Sequence, residues 1–233
     1  MALHSRAMTV RPARSRTVAV LEAAALAVCA VSLAALLARG AGTLRGAREA
    51  AVLAAAAACG YLAADLASGL VHWFCDRFFE EDSPLLGRLL IRPFREHHRD
   101  PAAMTRHGWL ELCGNSAQAV APLLLAALAA PLPAGASLLA TFTDGVVAFF
   151  ALAALATNAF HCWAHAERVP WPVARLQALG LILAPRAHAV HHAGGGAYCV
   201  TSGWANRIVD GLGLPARLER GLVALGLPAT RHP

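Results

Sequence analysis

The stretch AAVLAAAAACGYLAADLASGLVHW, residues 50–73, decides the fold class. Only Asp65, Ser68 and His72 interrupt its apolar character, and as a helix it is long enough to cross the ~30 Å hydrocarbon core of a bilayer. Three further apolar runs lie at 18–37, 116–130 and 143–163. Together the four runs predict an all-α fold, that of a polytopic membrane protein with about four transmembrane helices.

The composition indicates the same class. The 233 residues are 58% hydrophobic and 15% charged, whereas soluble domains are usually about 45–50% apolar and roughly 25% charged. All basic residues are arginines, and the net charge of +6 is typical of a membrane protein that contacts anionic headgroups. No RNP, zinc-finger or basic-helix pattern occurs, which argues against nucleic-acid binding. The six cysteines are scattered without a CxxC pair, so no disulfide framework is predicted.

We divide the chain into a polar N-terminal segment, 1–17, and a single membrane domain, 18–233, whose motifs lie at 60–220. A signal peptide is the competing interpretation of the first apolar run. The length of that run, and Arg39 among the small residues that follow it, favour an uncleaved span. Short helices at the membrane surface are predicted at 173–183 and 217–227.

The order of the spans predicts which segments share a membrane face. An arginine-rich N-terminus favours the cytoplasmic side, and four spans then return both 75–115 and the region after His165 to that side. Arg39, Arg45 and Arg48 favour the opposite orientation. Either orientation leaves the two polar regions on one common face.

Nine of the 11 histidines lie at this face, at or beyond the span ends. They are His72, His97, His98, His107, His161, His165, His188, His191 and His192. A spacing of four residues puts His72 with Asp76, and His161 with His165, on one helix face. One ion takes about four ligands, so the set predicts a histidine-rich cap on the cytoplasmic side that holds two metals. A lone histidine at an interface is usually an anchor, but that interpretation does not suit a set with this spacing.

The sequence narrows the metal chemistry without choosing the metal. It contains no HExxH motif of zinc proteases and no ExxH motif of ferritin-like carboxylate sites. Imidazole is a ligand for iron, copper and zinc alike. Asp65, inside the second span, needs a polar partner that the sequence does not identify.

Five motifs, in order along the chain, resemble the Kua-type lipid desaturase family. They are SGLVHWFCD (68–76), IRPFREHHRDPAAMTRHGWLE (91–111), NAFHCWAH (158–165), PRAHAVHH (185–192) and TSGWAN (201–206). The resemblance implies a di-iron enzyme that uses O₂ and two electrons from a separate cytochrome b5-like or ferredoxin-like protein. The implied reaction converts the sn-1 O-alkyl chain of plasmanylethanolamine-type ether lipids to a 1′-alkenyl chain.

The resemblance also implies roles for particular residues. The nine histidines would be catalytic metal ligands, with Asp76 and Asn158 as further candidate ligands. Arg92, Arg95 and Arg186 flank the ligands, and we predict that they hold the lipid phosphate. Ordinary interfacial arginines explain the same pattern equally well.

Two other functions fit parts of the pattern. One is a di-iron desaturase or hydroxylase that acts on another lipid acyl chain. The other is a non-redox protein that binds or transports metal, but transport would place ligands near the bilayer midplane, where only Asp65 comes close. The expected location is an integral position in a bacterial inner membrane, or in the endoplasmic reticulum of a eukaryote.

Overall fold

The structure, a computed structural model, describes residues 15–42, 45–84, 86–130 and 138–230. Most of the predicted N-terminal segment, 1–14, lies outside the described residues. Within the described ranges the chain forms nine α-helices, and Phe78 and Ala229 form a single antiparallel bridge. The prediction of an all-α fold is confirmed.

Long helices form a bundle and short helices cap one of its ends. The helices are α1 (Arg16–Ala41), α2 (Ala47–Arg77), α3 (Arg92–Arg99), α4 (Trp109–Ala129), α5 (Leu138–His165), α6 (Trp171–Ala178), α7 (Pro185–His192), α8 (Asn206–Gly211) and α9 (Leu214–Ala224). A π-helical turn at Gly87–Ile91 and a 3-10 helix at Pro101–Arg106 flank α3. Helices α1, α2, α4 and α5 are long and apolar enough to cross a membrane, as predicted.

The helix bounds differ from the predicted runs mainly in the third span. Helix α4 begins at Trp109 rather than at 116. Glu111 makes this stretch polar, but it stands in the first turn, where the positive end of the helix dipole favours an acidic residue. Helices lie close to both predicted positions, 173–183 and 217–227, as α6 and α9, each shifted toward the N-terminus; their place at the membrane surface stays a prediction. A glycine in the left-handed region follows each of them, Gly180 with φ 66° and Gly226 with φ 93°.

Helix α5 is the central element, packed against α1, α2 and α4. Small residues allow α2 and α5 to approach closely. A Cβ atom on Gly60 would lie 2.5 Å from the carbonyl oxygen of Val146, and one on Gly145 would lie 2.8 Å from the Cβ of Ala56. Such contacts replace the hydrophobic driving force that helices lack inside lipid. The apolar core between α1, α4 and α5 consists of Cys29, Leu33, Leu36, Ala117, Val120, Ala121, Leu124, Ala148 and Ala151.

An ion pair joins three helices at the end of the bundle opposite the histidines. Arg39 of α1 donates to both carboxylate oxygens of Asp144 in α5, at 2.7 and 2.6 Å. The same guanidinium donates to the carbonyl of Ala127 in α4, at 3.1 Å. The side chains of Arg39 and Asp144 are only 20% and 13% exposed, so this bidentate pair ties the bundle together where little water competes.

Replacing Asp144 by alanine is expected to lower the free energy of unfolding by about 2 kcal/mol, because the guanidinium loses its charged acceptor. Loss of the helical circular dichroism signal during denaturation in detergent measures the change. Thr143→Ala is the matched control, since the Thr143 hydroxyl donates only within α5, to Leu139 and Ala140. Equal stability of the two variants would contradict the prediction.

Candidate metal centre

Eight of the nine predicted histidines come together at one end of the bundle. Helix α2 contributes His72, α3 contributes His97 and His98, α5 contributes His161 and His165, and α7 contributes His188, His191 and His192. Helices α2 and α5 end at this face, and the short helices α3 and α7 follow them there. Both short helices carry a proline in their first turn, Pro93 and Pro185, where its fixed φ suits a helix start.

One group of ligand atoms, the His72 site, consists of His72, His97, His98 and His191. One nitrogen of each lies within 4.8 Å of the others, and the Nε2 atoms of His98 and His191 are 3.1 Å apart. The Oδ2 atom of Asp76 lies 3.1 Å from Nε2 of His98 and 3.5 Å from Nε2 of His72 and of His191. The carboxylate therefore faces the same space as three imidazoles.

A second group, the His188 site, consists of His97, His165, His188 and His192. Nε2 of His188 lies 2.9 Å from that of His165 and 3.0 Å from that of His192. Nε2 of His161 lies 2.8 Å from that of His188 and 3.3 Å from that of His165. Two nitrogens bound to one ion at ~2.1 Å lie about 2.9 to 3.4 Å apart, so these spacings suit a single coordination sphere.

Unpaired nitrogens support the same interpretation. The Nε2 atoms of His72 and His97 are buried and have no hydrogen-bond partner among the described residues. Burying a polar atom without a partner is costly. A metal ion would accept the lone pair of each nitrogen, so this donor set fits metal ions better than it fits a hydrogen-bonded core.

Four histidines of the short helices, one on α3 and three on α7, are held in their neutral form. Burial, reinforced by neighbouring histidines, lowers the pKa of His188 to about 2, that of His191 to about 3 and that of His192 to about 4. The same causes lower the pKa of His97 further. A lowered pKa means that the uncharged imidazole dominates at pH 7, and this form binds metals.

Backbone carbonyls orient two ligands of the His72 site. Nδ1 of His72 lies 3.1 Å from the carbonyl oxygen of Tyr198, and Nδ1 of His191 lies 2.8 Å from that of Gly196. Because a carbonyl can only accept, the bonding pattern assigns the proton to Nδ1 in both rings. Nε2 of each ring is thereby left to face the metal.

Side chains, rather than regular secondary structure, hold residues 196–205, which we call the anchored segment and which contains both carbonyls. Asp65 is fully buried, and its Oδ1 accepts the N–H groups of Thr201, Ser202 and Gly203 at 3.0, 2.8 and 3.0 Å. Its Oδ2 accepts the N–H of Ala205 at 2.9 Å. The polar partner that Asp65 needs is therefore backbone.

Three further side chains hold the start of the anchored segment. Ser68 accepts the N–H of Val200 at 3.0 Å. Asn206 accepts that of Cys199 at 2.8 Å, and Asp210 accepts that of Ala197 at 3.2 Å. Apart from the need of Asp65 for a polar partner, none of these contacts is predictable from the sequence, because nearly every residue type has the same backbone amide.

His107 and Asn158, both predicted ligands, lie outside the two ligand groups. Nδ1 of His107 lies 3.5 Å from the carboxylate of Glu111. Asn158 donates to the carbonyl of Leu112 at 3.0 Å and to the hydroxyl of Ser116 at 3.2 Å. Both side chains line a cavity next to the histidines, and their role as ligands stays a prediction.

The three arginines predicted to bind phosphate have different surroundings. Arg95 is 6% exposed, and it donates to three backbone carbonyls around the end of α2 and to the hydroxyl of Thr230. A phosphate would have to compete with these bonds. Arg92 and Arg186 are exposed, which leaves them the more accessible of the three. Phosphate binding stays a prediction.

A cavity of about 720 Å³ between α2, α4 and α5 ends at the histidines. His97 and His161 border it at the capped end, and Val120, Leu123 and Phe150 line it toward the other end of the bundle. Small-molecule sites usually enclose about 300 to 1,000 Å³ and are mostly apolar. The size and lining of the cavity suit a hydrocarbon chain.

Known proteins are similar to about two thirds of this chain. Plasmanylethanolamine desaturase of Myxococcus xanthus is 40% identical over 158 residues, which are 67% of this chain and 55% of the relative. Plasmanylethanolamine desaturase 1 of Mus musculus is 36% identical over 165 residues, 69% and 61% of the two chains. Fatty acid desaturase 4, chloroplastic, of Arabidopsis thaliana is 34% identical over 155 residues, 65% and 46% of the two chains.

The chain spans about half to three fifths of the length of these relatives. No solved structure matches it. The family profile described as "Lipid desaturase domain" matches residues 61–229, a range that contains the eight clustered histidines and the anchored segment. The chain belongs to the lipid desaturase domain family.

Proposed function

We propose that the chain is an O₂-dependent di-iron desaturase that acts on the sn-1 O-alkyl chain of plasmanylethanolamine-type ether lipids. The reaction would remove one hydrogen from C1′ and one from C2′ and form a double bond between them. Two electrons, two protons and one O₂ would be consumed, giving two waters. The observation that carries the proposal is the apolar cavity that ends at the histidines.

The position of the histidines along the cavity favours oxidation of the first carbons of a chain. From His161 to Phe150 the cavity follows α5 for about 16 Å, at ~1.5 Å per residue. A lipid whose headgroup stays at the membrane surface would extend its chain down this cavity. The carbons next to the glycerol would then lie beside the histidines, whereas mid-chain desaturation would need apolar space on both sides of them.

The protein's own groups would hold and orient the reactants. Two iron ions, for which imidazole is a suitable ligand, would supply the activation of O₂ against a C–H bond. The apolar lining would exclude water and align the chain. Asp76 would add negative charge to the His72 site, and the carbonyl contacts of His72 and His191 would fix the ring orientations.

We place the histidines on the cytoplasmic side of the membrane. Exposed arginines of the cap, including Arg92, Arg175 and Arg186, support this orientation. A separate cytochrome b5-like or ferredoxin-like protein would deliver the electrons from that side. The membrane would be the inner membrane of a bacterium or the endoplasmic reticulum of a eukaryote.

Desaturation of an acyl chain is the second candidate function. The similarity to a relative named fatty acid desaturase 4 favours it. The same cavity would take an acyl chain that is bonded to glycerol through an ester instead of an ether.

Lipid analysis of a plasmalogen-deficient host that makes alkyl ether lipids tests the proposal. With the chain expressed, we expect vinyl ether lipids, detected as aldehydes that mild acid releases. We expect none with His191→Ala, because His191 belongs to the His72 site. New double bonds confined to acyl chains would reject the ether substrate in favour of the second candidate. If the expressed protein carries metal and the lipid profile of the host is unchanged, both candidate functions are rejected.

A further inference from the structure

The anchored segment, 196–205, is connected to the ligands of one metal site. Its two carbonyls, those of Gly196 and Tyr198, hold the Nδ1 atoms of His191 and His72. Both histidines belong to the His72 site. No hydrogen bond that the described residues show joins the segment to His165, His188 or His192 of the other site.

Asp65 is the acceptor on which the second half of the segment depends. Its two oxygens accept four backbone N–H groups, which is close to the capacity of a carboxylate. Irregular backbone beside a spanning helix is tolerated only where its polar groups are satisfied by protein. No uncharged side chain offers two oxygens that both act only as acceptors.

Helix α2 carries both this anchor and a ligand. Asp65 precedes His72 by two helical turns, about 10 Å, and the spacing of seven residues keeps both on one face. Between them, Ser68 accepts the N–H of Val200. One face of α2 therefore contacts the segment at three successive levels.

We propose that Asp65 is a positioning residue of the His72 site. By binding four amides of the anchored segment, it holds the carbonyls of Gly196 and Tyr198 where they orient His191 and His72. The inference deepens the proposed function, since it rests on the same two-metal centre. Asp65 itself contacts neither substrate nor metal.

The proposal makes the two sites respond differently. Loosening the anchored segment frees the imidazoles of His72 and His191 to rotate, whereas among the described residues the segment makes no hydrogen bond to an imidazole of the His188 site. Thr201 of the segment accepts the N–H of Leu183 and bonds the hydroxyl of Thr157, and neither contact involves a ring of that site. A carboxylate that only stabilised the fold would, when lost, weaken both sites together.

Asp65→Asn is the informative variant. The amide has almost the shape of the carboxylate and keeps one oxygen, but its NH₂ group replaces an acceptor, so one of the four amides meets a donor. Purified full-length protein, stripped of metal by a chelator, is titrated with Co²⁺ and followed by visible absorption, and bound ions are counted by mass spectrometry. We expect two Co²⁺ ions in the wild type. In the variant we expect one ion of unchanged affinity and one bound about tenfold more weakly, with altered absorption.

Asp144→Asn is the matched control, because it removes a carboxylate of the same bundle at the end opposite the histidines. We expect lower thermal stability and two unchanged Co²⁺ sites. If Asp65→Asn does not fold, Ser68→Ala replaces it, since it removes the acceptor for Val200 and leaves the carboxylate in place. We expect a smaller weakening of the same single site.

Unchanged affinity and absorption of both Co²⁺ ions in the folded variant would overturn the proposal, whatever its thermal stability. Equal weakening of both ions would overturn it as well. Because Co²⁺ binding requires no lipid turnover, a negative result in the lipid experiment would leave this test intact.

Discussion

Replacing His97 by alanine is expected to deplete both metal sites, because the His97 ring belongs to both ligand groups: one site loses a ligand nitrogen, and the other loses a ring that packs against its ligands. The site that His97 ligates would keep three histidines. Loss of a ligand weakens metal binding by more than the 10- to 100-fold that follows loss of a hydrogen-bond partner of a ligand. We expect fewer than about one ion per chain and at least ~100-fold less vinyl ether product. Mass spectrometry of metals in protein purified under iron-replete conditions, beside the lipid assay, measures both effects.

Two comparisons separate the loss of the His97 imidazole from general damage to α3. Phe94→Ala alters the same helix, and the Phe94 ring lies 5.2 Å from that of His72, but it removes no nitrogen. We expect it to keep both ions. His192→Ala should keep one ion, since His192 belongs to the His188 site alone. If His97→Ala also kept one ion, the expected dependence of both sites on His97 would be wrong.

Filling the cavity with a larger side chain should strongly reduce the reaction without changing metal binding. Ala154 lies on α5 two turns below His161 and lines the cavity. An indole ring at this position, in Ala154→Trp, is expected to block the path of the chain and to reduce desaturation by about 100-fold, since small misplacements of a reacting group have effects of this size. The lipid assay measures product, and we expect shorter alkyl chains to be affected less.

Leu152→Trp is the control for the bulk of tryptophan on the same helix. Leu152 is 42% exposed and does not line the cavity, so its replacement should leave product formation near the wild-type level. Both variants should retain two ions. Equal activity of the two variants would show that the alkyl chain of the lipid does not occupy this cavity. Loss of ions from Ala154→Trp would show that the substitution also damages the metal centre.

The long helices and the meeting of the histidines could be predicted because both depend on properties that sequence displays directly. A spanning helix needs length and hydrophobicity, and α2 and α5 extend the predicted runs 50–73 and 143–163 by a few residues at each end. The order of the spans then required His72 and His161 to approach the same face. The face at which a span ends follows from the number of spans before it and does not depend on how the helices pack.

The supports of the centre could not be predicted in the same way. Helices α3 and α7 have eight residues each, which is too few to show the apolar periodicity of a helix. Their histidines, rather than an apolar face, mark their position in the structure. The partners of Asp65 are amides 136 to 140 residues further along the chain. Every residue except proline has such an amide, so no pattern of side chains identifies them. Whether His107 faces a metal or the cavity depends on the direction that the 3-10 helix Pro101–Arg106 gives to the chain. Residue types alone do not predict the direction of such a short connection.

Helix α2 limits which insertions, deletions and substitutions the protein can accept during evolution. Asp65, Ser68, His72 and Asp76 follow one another at three or four residues, so that one face of the helix carries the anchor and the ligands. Insertion or deletion of one residue between Asp65 and His72 would rotate one side chain relative to the other by about 100° and shift it by ~1.5 Å along the helix. The outer face, where Leu66 and Leu70 are each 37% exposed, has no such constraint. Between Asp65 and Asp76, substitutions on the exposed face of the helix are therefore tolerated, whereas changes in the length of the helix are not.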